Sequence, residues 1–178
     1  NKDIKKIEAY DVSHISGDHA VASCVVFSNL GAQKKNYRLF NIPETLSGND
    51  VGSLQHVLER RIKYYENPKI KPEVILIDGG KTQLNFTQSV LDSSEYDDIK
   101  IISIVKGSNR VRATETILSN DGIIELEKYS KSYLLLQEIR DESHRFAITA
   151  QRKKKRGNIK QSRLDQINGI GDVLKKRL

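Results

Sequence analysis

KPEVILIDGGKTQ, residues 71–83, sets a short apolar, β-branched run against an abrupt stop on a carboxylate and two glycines. Val74 to Ile77 read as a buried strand, Pro72 marks its start, and Gly79-Gly80 break it. Apolar Leu84, Val90 and Leu91 then predict a helix, and IKIISIV at 99–105 a second strand. A strand–helix–strand connection of this kind makes the two strands parallel neighbours in one sheet.

Upstream, residues 4–13, 20–27 and 36–42 form three strand-like runs separated by the turn formers SGD and SNLGA, the pattern of an antiparallel meander. Val51, Leu54, Val57, Leu58, Ile62 and Tyr65 recur at helical spacing until Pro68 and Pro72 close that helix. Downstream, residues 110–127 predict a hairpin turning at Asn120-Asp121-Gly122, and a long helix runs from about Ser130 to Ala150. The sum is an α/β fold, a mixed sheet flanked by helices, with no internal repeat.

The 178 residues suit one main domain and a small appendage, since domains most often hold roughly 100–150 residues. No apolar run approaches the roughly 20 residues of a membrane span, which argues against a membrane partner. The start, NKDIKKIEAY, lacks the apolar core of a secretory signal, and the single cysteine, Cys24, supports neither a disulfide framework nor a cysteine-rich zinc site. A reducing cytoplasm is the expected setting. The net charge of +7 is one-sided: residues 140–178 hold 12 Lys/Arg against 4 Asp/Glu, whereas residues 1–139 hold 18 against 19. Such a distribution fits a polyanionic partner, nucleic acid above all.

The division this suggests is a domain over residues 1–150, a basic linker over 151–160 (QRKKKRGNIK), and a partial helix-hairpin-helix over 161–178. In that last segment Ile167-Asn168-Gly169-Ile170-Gly171 places Gly169 and Gly171 where exposed backbone N–H groups can approach a phosphate at a following helix N-terminus.

Asp78 admits three readings. It can cap the helix that begins near Lys81. It can belong to a phosphate loop, but the G-x-x-x-x-G-K-[ST] pattern needs glycine where Ile75 stands, so that reading fails on spacing. It can hold magnesium or manganese at a strand's C-terminal edge. Asp11, in AYDVSHISG, closes the first strand on the face of Ile7 and Ala9. If the two strands are neighbours, the carboxylates converge, and two such charges are tolerable together only around a cation. Asp11 can instead bond its own turn through Ser13. On the long helix, Leu135, Leu136, Ile139, Phe146, Ala147 and Ala150 form an apolar arc with His144 just beyond its edge, placed to act as metal ligand or as general acid/base. Glu142 flanks the arc on the other side. Asp50, in Ser47-Gly48-Asn49-Asp50, fits a capping box with Ser47 at the N-cap and is the fourth candidate. His14, His19 and His56 show no metal-ligand spacing.

YDVSHISG, VASCVVF, YRLFNI, GNDVGSLQHVLERR, VILIDGGKTQL and LLLQEIRDESHRFAIT, in this order, resemble the C-terminal half of the UvrC family, the incision subunit of bacterial nucleotide excision repair. The resemblance covers nearly the whole chain. It implies an RNase H-like endonuclease domain followed by a helix-hairpin-helix region, and a metal-dependent 5′ incision at an Asp-Asp-His site carried by Asp11, Asp78 and His144, with Asp50 on a further family aspartate. Gln151 stands where the family often has His, and Thr82 where Gly is frequent. The family's 3′ nuclease and its contact with the UvrB partner would lie upstream of these residues. On this reading magnesium or manganese is the cofactor and DNA the substrate. Lys81, Arg140 and Arg145 steady phosphates near the cut, and Arg152, Lys153 and Lys154 grip the backbone without reading bases. The rival from another class is a DNA-binding module in which the aspartates only cap.

Overall fold

A computed structural model describes residues 4–13, 20–105 and 115–165, with side chains as far as residue 153. Strand β1 (Lys6–Ser13) pairs antiparallel with β2 (Val21–Ser28), which also pairs with the short β3 (Gly31–Ala32) and with β4 (Arg38–Asn41). Helix α1 (Asp50–Ile62) leads to β5 (Val74–Asp78), α2 (Lys81–Asp92) and β6 (Lys100–Val105). The hairpin β7 (Thr116–Ser119) and β8 (Gly122–Ile124) turns at Asn120-Asp121, and α3 (Lys131–Asp165) follows. The described strands form one sheet in the order β3-β2-β1-β5-β6-β7-β8, with β4 beside β2.

The centre of the sheet is parallel, β1 with β5 and β5 with β6, and both its margins are antiparallel. Central parallel strands are covered on both faces, which is why VILI is apolar without alternation: Val74 to Ile77 are all buried. Helices α1 and α2 pack against each other on one face, where Arg61 of α1 reaches Glu8. Helix α3 covers the other, where Ser143 meets Ser23 and the carbonyl of Ala9. The predicted mixed α/β sheet, its meander, its strand–helix–strand unit and its hairpin are all present.

Two local expectations change. Helix α1 is capped by Asn49, whose Oδ1 accepts from Gly52 N at 2.9 Å; Ser47 lies outside the helix and Asp50 is its first residue, so the capping box on Ser47 is not formed. The expected end of the last helix near Ala150 is also displaced. Its backbone stays helical to Asp165, through the stretch 151–160 assigned to a linker, because the lysines and arginines there are good helix formers once a helix is already running. Gly169, Gly171 and the rest of the segment after Asp165 lie outside the described residues, as do His14 and His19.

Candidate metal centre

Register brings the two aspartates together. Strands β1 and β5 are paired from Ile7–Val74 to Tyr10–Ile77, so the next residues, Asp11 and Asp78, stand side by side on the face of Ala9 and Leu76, the α3 face. Asp11 is not the end of its strand. It lies one residue past the last β1–β5 pair but stays opposite Ser23 in β2, and β1 continues to Ser13. Asp78 ends β5 opposite Ile104 of β6. Gly79 is pinned beyond it, its N–H donating to Ile104 O at 3.2 Å and its carbonyl accepting from the Ser103 hydroxyl. A Cβ on Gly79 would meet Gln83 Cδ at 3.0 Å, a close approach that favours glycine there. The cap of α2 is Gly80, whose N–H donates to Gln83 Oε1 at 3.0 Å, so Asp78 is not the cap that one reading proposed.

Helix α3 supplies the third group. Its buried face centres on Leu136, Ile139, Ser143, Ala147 and Gln151, rotated from the predicted arc toward His144; Leu135, placed within that arc, is 41% exposed. Ser143 and Ala147 are small enough to let the helix approach the sheet, and Ser143 Oγ lies 3.0 Å from Ser23 Oγ. The rotation puts His144 Nδ1 3.2 Å from Asp11 Oδ2 while its side chain remains 50% exposed. Asp11 Oδ2 also accepts from Ser13 Oγ at 3.0 Å, the turn contact that was the alternative, so the carboxylate makes both contacts at once. Gln151 Nε2 donates to Ser13 O at 2.7 Å and ties the end of β1 to the helix two turns beyond His144. One ligand atom each from Asp11, Asp78 and His144 lies within 4.8 Å of the others.

Asp50 stands outside this trio but beside it, lining a small cleft with Asp78, Tyr10 and Gln83. Lys81 is exposed at the first turn of α2. Arg140 is engaged elsewhere, in ion pairs with Glu115 and Asp141, and Arg145 is bonded to both oxygens of Glu142 at 2.7 Å. Those bonds hold the Glu142 carboxyl below its ordinary range, assisted by the Tyr37 hydroxyl against an opposing effect of burial. Glu142 thus faces away from the trio, as its position on the helix required. Arg152 and Lys153 are exposed on α3; of Lys154 only the backbone is described.

Sequence reasoning gave Ser143 no role and noted Gln151 only as a departure from the family pattern, whereas Ser143 seats α3 on β1 and β2 and Gln151 ties the helix to Ser13. Their signal was the four-residue spacing of Ile139, Ser143, Ala147 and Gln151, one helical stripe in which polar residues alternate with apolar ones.

The model of the UvrC RNase H endonuclease domain matches residues 1–148. The chain belongs to that family. Among its UvrC relatives, UvrABC system protein C of Legionella pneumophila (strain Paris) is 39% identical over 173 residues, 96% of this chain and 28% of that protein. The same protein of Pseudomonas fluorescens (strain Pf0-1) is 38% identical over 177 residues, 98% of this chain and 29% of that one. The chain therefore spans under a third of the length of these UvrC proteins. A fainter likeness links it to the crystal structure of human ENDOV, 13% identical with a TM-score of 0.48 over 83% of this chain and 86% of that one. No helix among the described residues is long and apolar enough to cross a membrane.

Proposed function

We propose that this chain is a metal-dependent DNA endonuclease domain that makes the 5′ incision of bacterial nucleotide excision repair. Family membership supports the nuclease role in excision repair. One observation carries the finer reading: two carboxylates and an imidazole from β1, β5 and α3 offer donor atoms within 4.8 Å of one another. Two carboxylate oxygens and one nitrogen suit magnesium or manganese, hard cations that take oxygen ligands and tolerate imidazole.

Asp11 and Asp78 hold the cation, and Ser13 and Gln151 keep the Asp11 carboxylate aimed. A bound divalent cation polarises the scissile phosphate and lowers the pKa of an attacking water. Two roles are open to the half-exposed His144: completing the ligand set, or handing a proton to the leaving 3′ oxygen. An imidazole in place of a third carboxylate leaves the site one negative charge poorer, which favours approach of a phosphodiester. Lys81 steadies the phosphate. Arg140 and Arg145 do so by exchanging their carboxylate partners for it, and Asp50 lends its charge from the neighbouring cleft. Arg152, Lys153, Lys154 and a helix-hairpin-helix over 161–178, with Gly169 and Gly171, grip the backbone on either side of the cut. A UvrB-type partner is engaged through segments outside this chain.

Manganese-dependent nicking of supercoiled DNA tests this. Asp78→Ala abolishes nicking and leaves salt-sensitive DNA binding in place, and His144→Ala lowers turnover by about 10²–10⁴-fold with little change in DNA affinity. Nicking retained by Asp78→Ala refutes the assignment; equal losses of turnover and affinity in His144→Ala make the histidine a binding residue.

A further inference from the structure

The far end of α1 borders a second feature. A cleft of about 450 Å³ opens between β4, the last turn of α1 and the loop before β5, lined by Arg38, Phe40, Arg60, Lys63, Tyr64 and Ile70 among others. A smaller hollow shares Arg38, Arg61 and Ile70 with it and adds Lys6, Lys69 and Glu8, the partner of Arg61. Asp50 opens α1 beside the metal centre, and Arg60 lies ten residues on. At 1.5 Å per residue that is roughly 15 Å along the helix axis, so the cleft is a separate site.

Its charge is one-sided. Arg38 donates to the carbonyls of Lys35 at 3.0 Å and Tyr37 at 2.7 Å. Arg60 lies over the Phe40 ring, 5.6 Å from its centroid. Among the described residues neither arginine, nor Lys63, pairs with a carboxylate; of the cleft's cations only Arg61, at its floor, does so, with Glu8. The aromatic ring beside these cations is open: Tyr64 is 60% exposed.

We infer that this cleft binds a single nucleic-acid strand, its cations taking successive phosphates and Tyr64 stacking an unpaired base. Cations alone would serve a duplex or an acidic peptide equally. A duplex keeps its bases stacked inside and an acidic peptide has no base to offer, so neither uses the ring, whereas a groove of cations with an accessible aromatic face suits a strand whose bases are free. The site lies apart from the residues of the metal centre and from the basic run on α3, and it requires no cleavage.

The test is fluorescence anisotropy of the full chain with labelled oligothymidine in EDTA, across a salt series. Lys63→Glu is expected to weaken binding on the order of tenfold and to flatten the slope of log K against log salt by about one. Tyr64→Ala is expected to weaken it about tenfold, to lose that effect against an abasic strand of equal length, and Tyr64→Phe to restore it. Both residues are exposed, and an unchanged thermal melt verifies folding. The basic run 152–156 is present in every protein compared, so its contribution cancels. Unchanged affinity and slope in both variants overturn the inference. So does a Tyr64→Ala loss that persists on the abasic strand, or competition by polyglutamate in place of oligothymidine. Because EDTA silences the metal centre, failure here leaves the reading of Asp11 and Asp78 standing, and retained nicking in Asp78→Ala leaves this one standing.

Discussion

Strand β1 carries a buried carboxylate on each face, and the two are treated in opposite ways. Glu8, fully buried, is answered by the protein itself: Arg61 Nη2 at 2.5 Å, and the hydroxyls of Tyr10 and Tyr65 each at 2.7 Å. Burial raises the pKa of both tyrosines, and the adjacent Glu8 charge adds to it, so both remain hydrogen-bond donors. Burial works against the Arg61 guanidinium, but hydrogen bonds and charge from Glu8 outweigh it. Three residues further on, Asp11 is 7% exposed and among the described residues receives only the Ser13 hydroxyl and an imidazole, with a second aspartate beside it. A carboxylate that the fold neutralises is part of the core. Asp11 instead shares its face of the sheet with Asp78 and His144, whose donor atoms converge within 4.8 Å, the arrangement on which the proposed cation site rests.

Three substitutions break or sharpen that contrast. The largest effect is expected at the α3 face, where Asp11→Asn should lower nicking on the order of a thousandfold or more. In EDTA the same variant should melt a few degrees higher, because it removes repulsion between like charges. A lower melting temperature there would mean that Asp11 is structural, as Glu8 is. Next, Arg61→Ala strands Glu8 in the core and should cost about 3–5 kcal/mol, read by urea denaturation, with nicking per folded molecule preserved. A loss below about 1 kcal/mol would show that Glu8 takes up a proton or water instead. The smallest effect is expected at Glu142, whose side chain is 15% exposed but whose partner Arg145 is 58% exposed, so that solvent screens the pair and it is worth under about 1 kcal/mol. Its carboxyl is depressed, chiefly by the Arg145 hydrogen bonds, so the stabilisation is complete above the ordinary glutamate value and fades as pH falls through the lower, folded one. The melting difference between wild type and Glu142→Gln should therefore be present at pH 7 and shrink below pH about 4; a difference that grows on acidification contradicts the sign.

Much of the site was legible because its parts are local. A carboxylate after VILI, and another on the Ala9 face of a strand, follow from period-two alternation and need no tertiary knowledge. The Asn120-Asp121-Gly122 turn was legible for the same reason. What escaped were matters of degree and of partner. The helical arc of α3 was drawn from apolarity and so gave weight to Leu135, although the sheet selected the side with small Ser143 and Ala147, where a helix can come close. Asn49 and Ser47 are both good N-caps, and only the path of the chain after Gly48, with φ of +78°, decides between them. The end of α3 was misplaced because charge density resembles a linker in composition while Gln151 and the run of Arg and Lys at 152–156 favour helix enough to carry it past Gly157 and Asn158.

By itself, then, the sequence determined the kinds of element, their order and the chemical types available at strand ends, because alternation, helical periodicity and turn chemistry are properties of a few neighbouring residues. Only the folded chain decided which charges are answered. Glu8 and Arg61 lie on separate elements, as do Asp11, Asp78 and His144, and the cations around Tyr64 come from β4 and α1. Whether such groups meet depends on sheet order, on a register in which one residue's slip turns a side chain to the other face, and on the rotation of a helix about its own axis. Those quantities are fixed by packing of the whole core, which no short stretch contains.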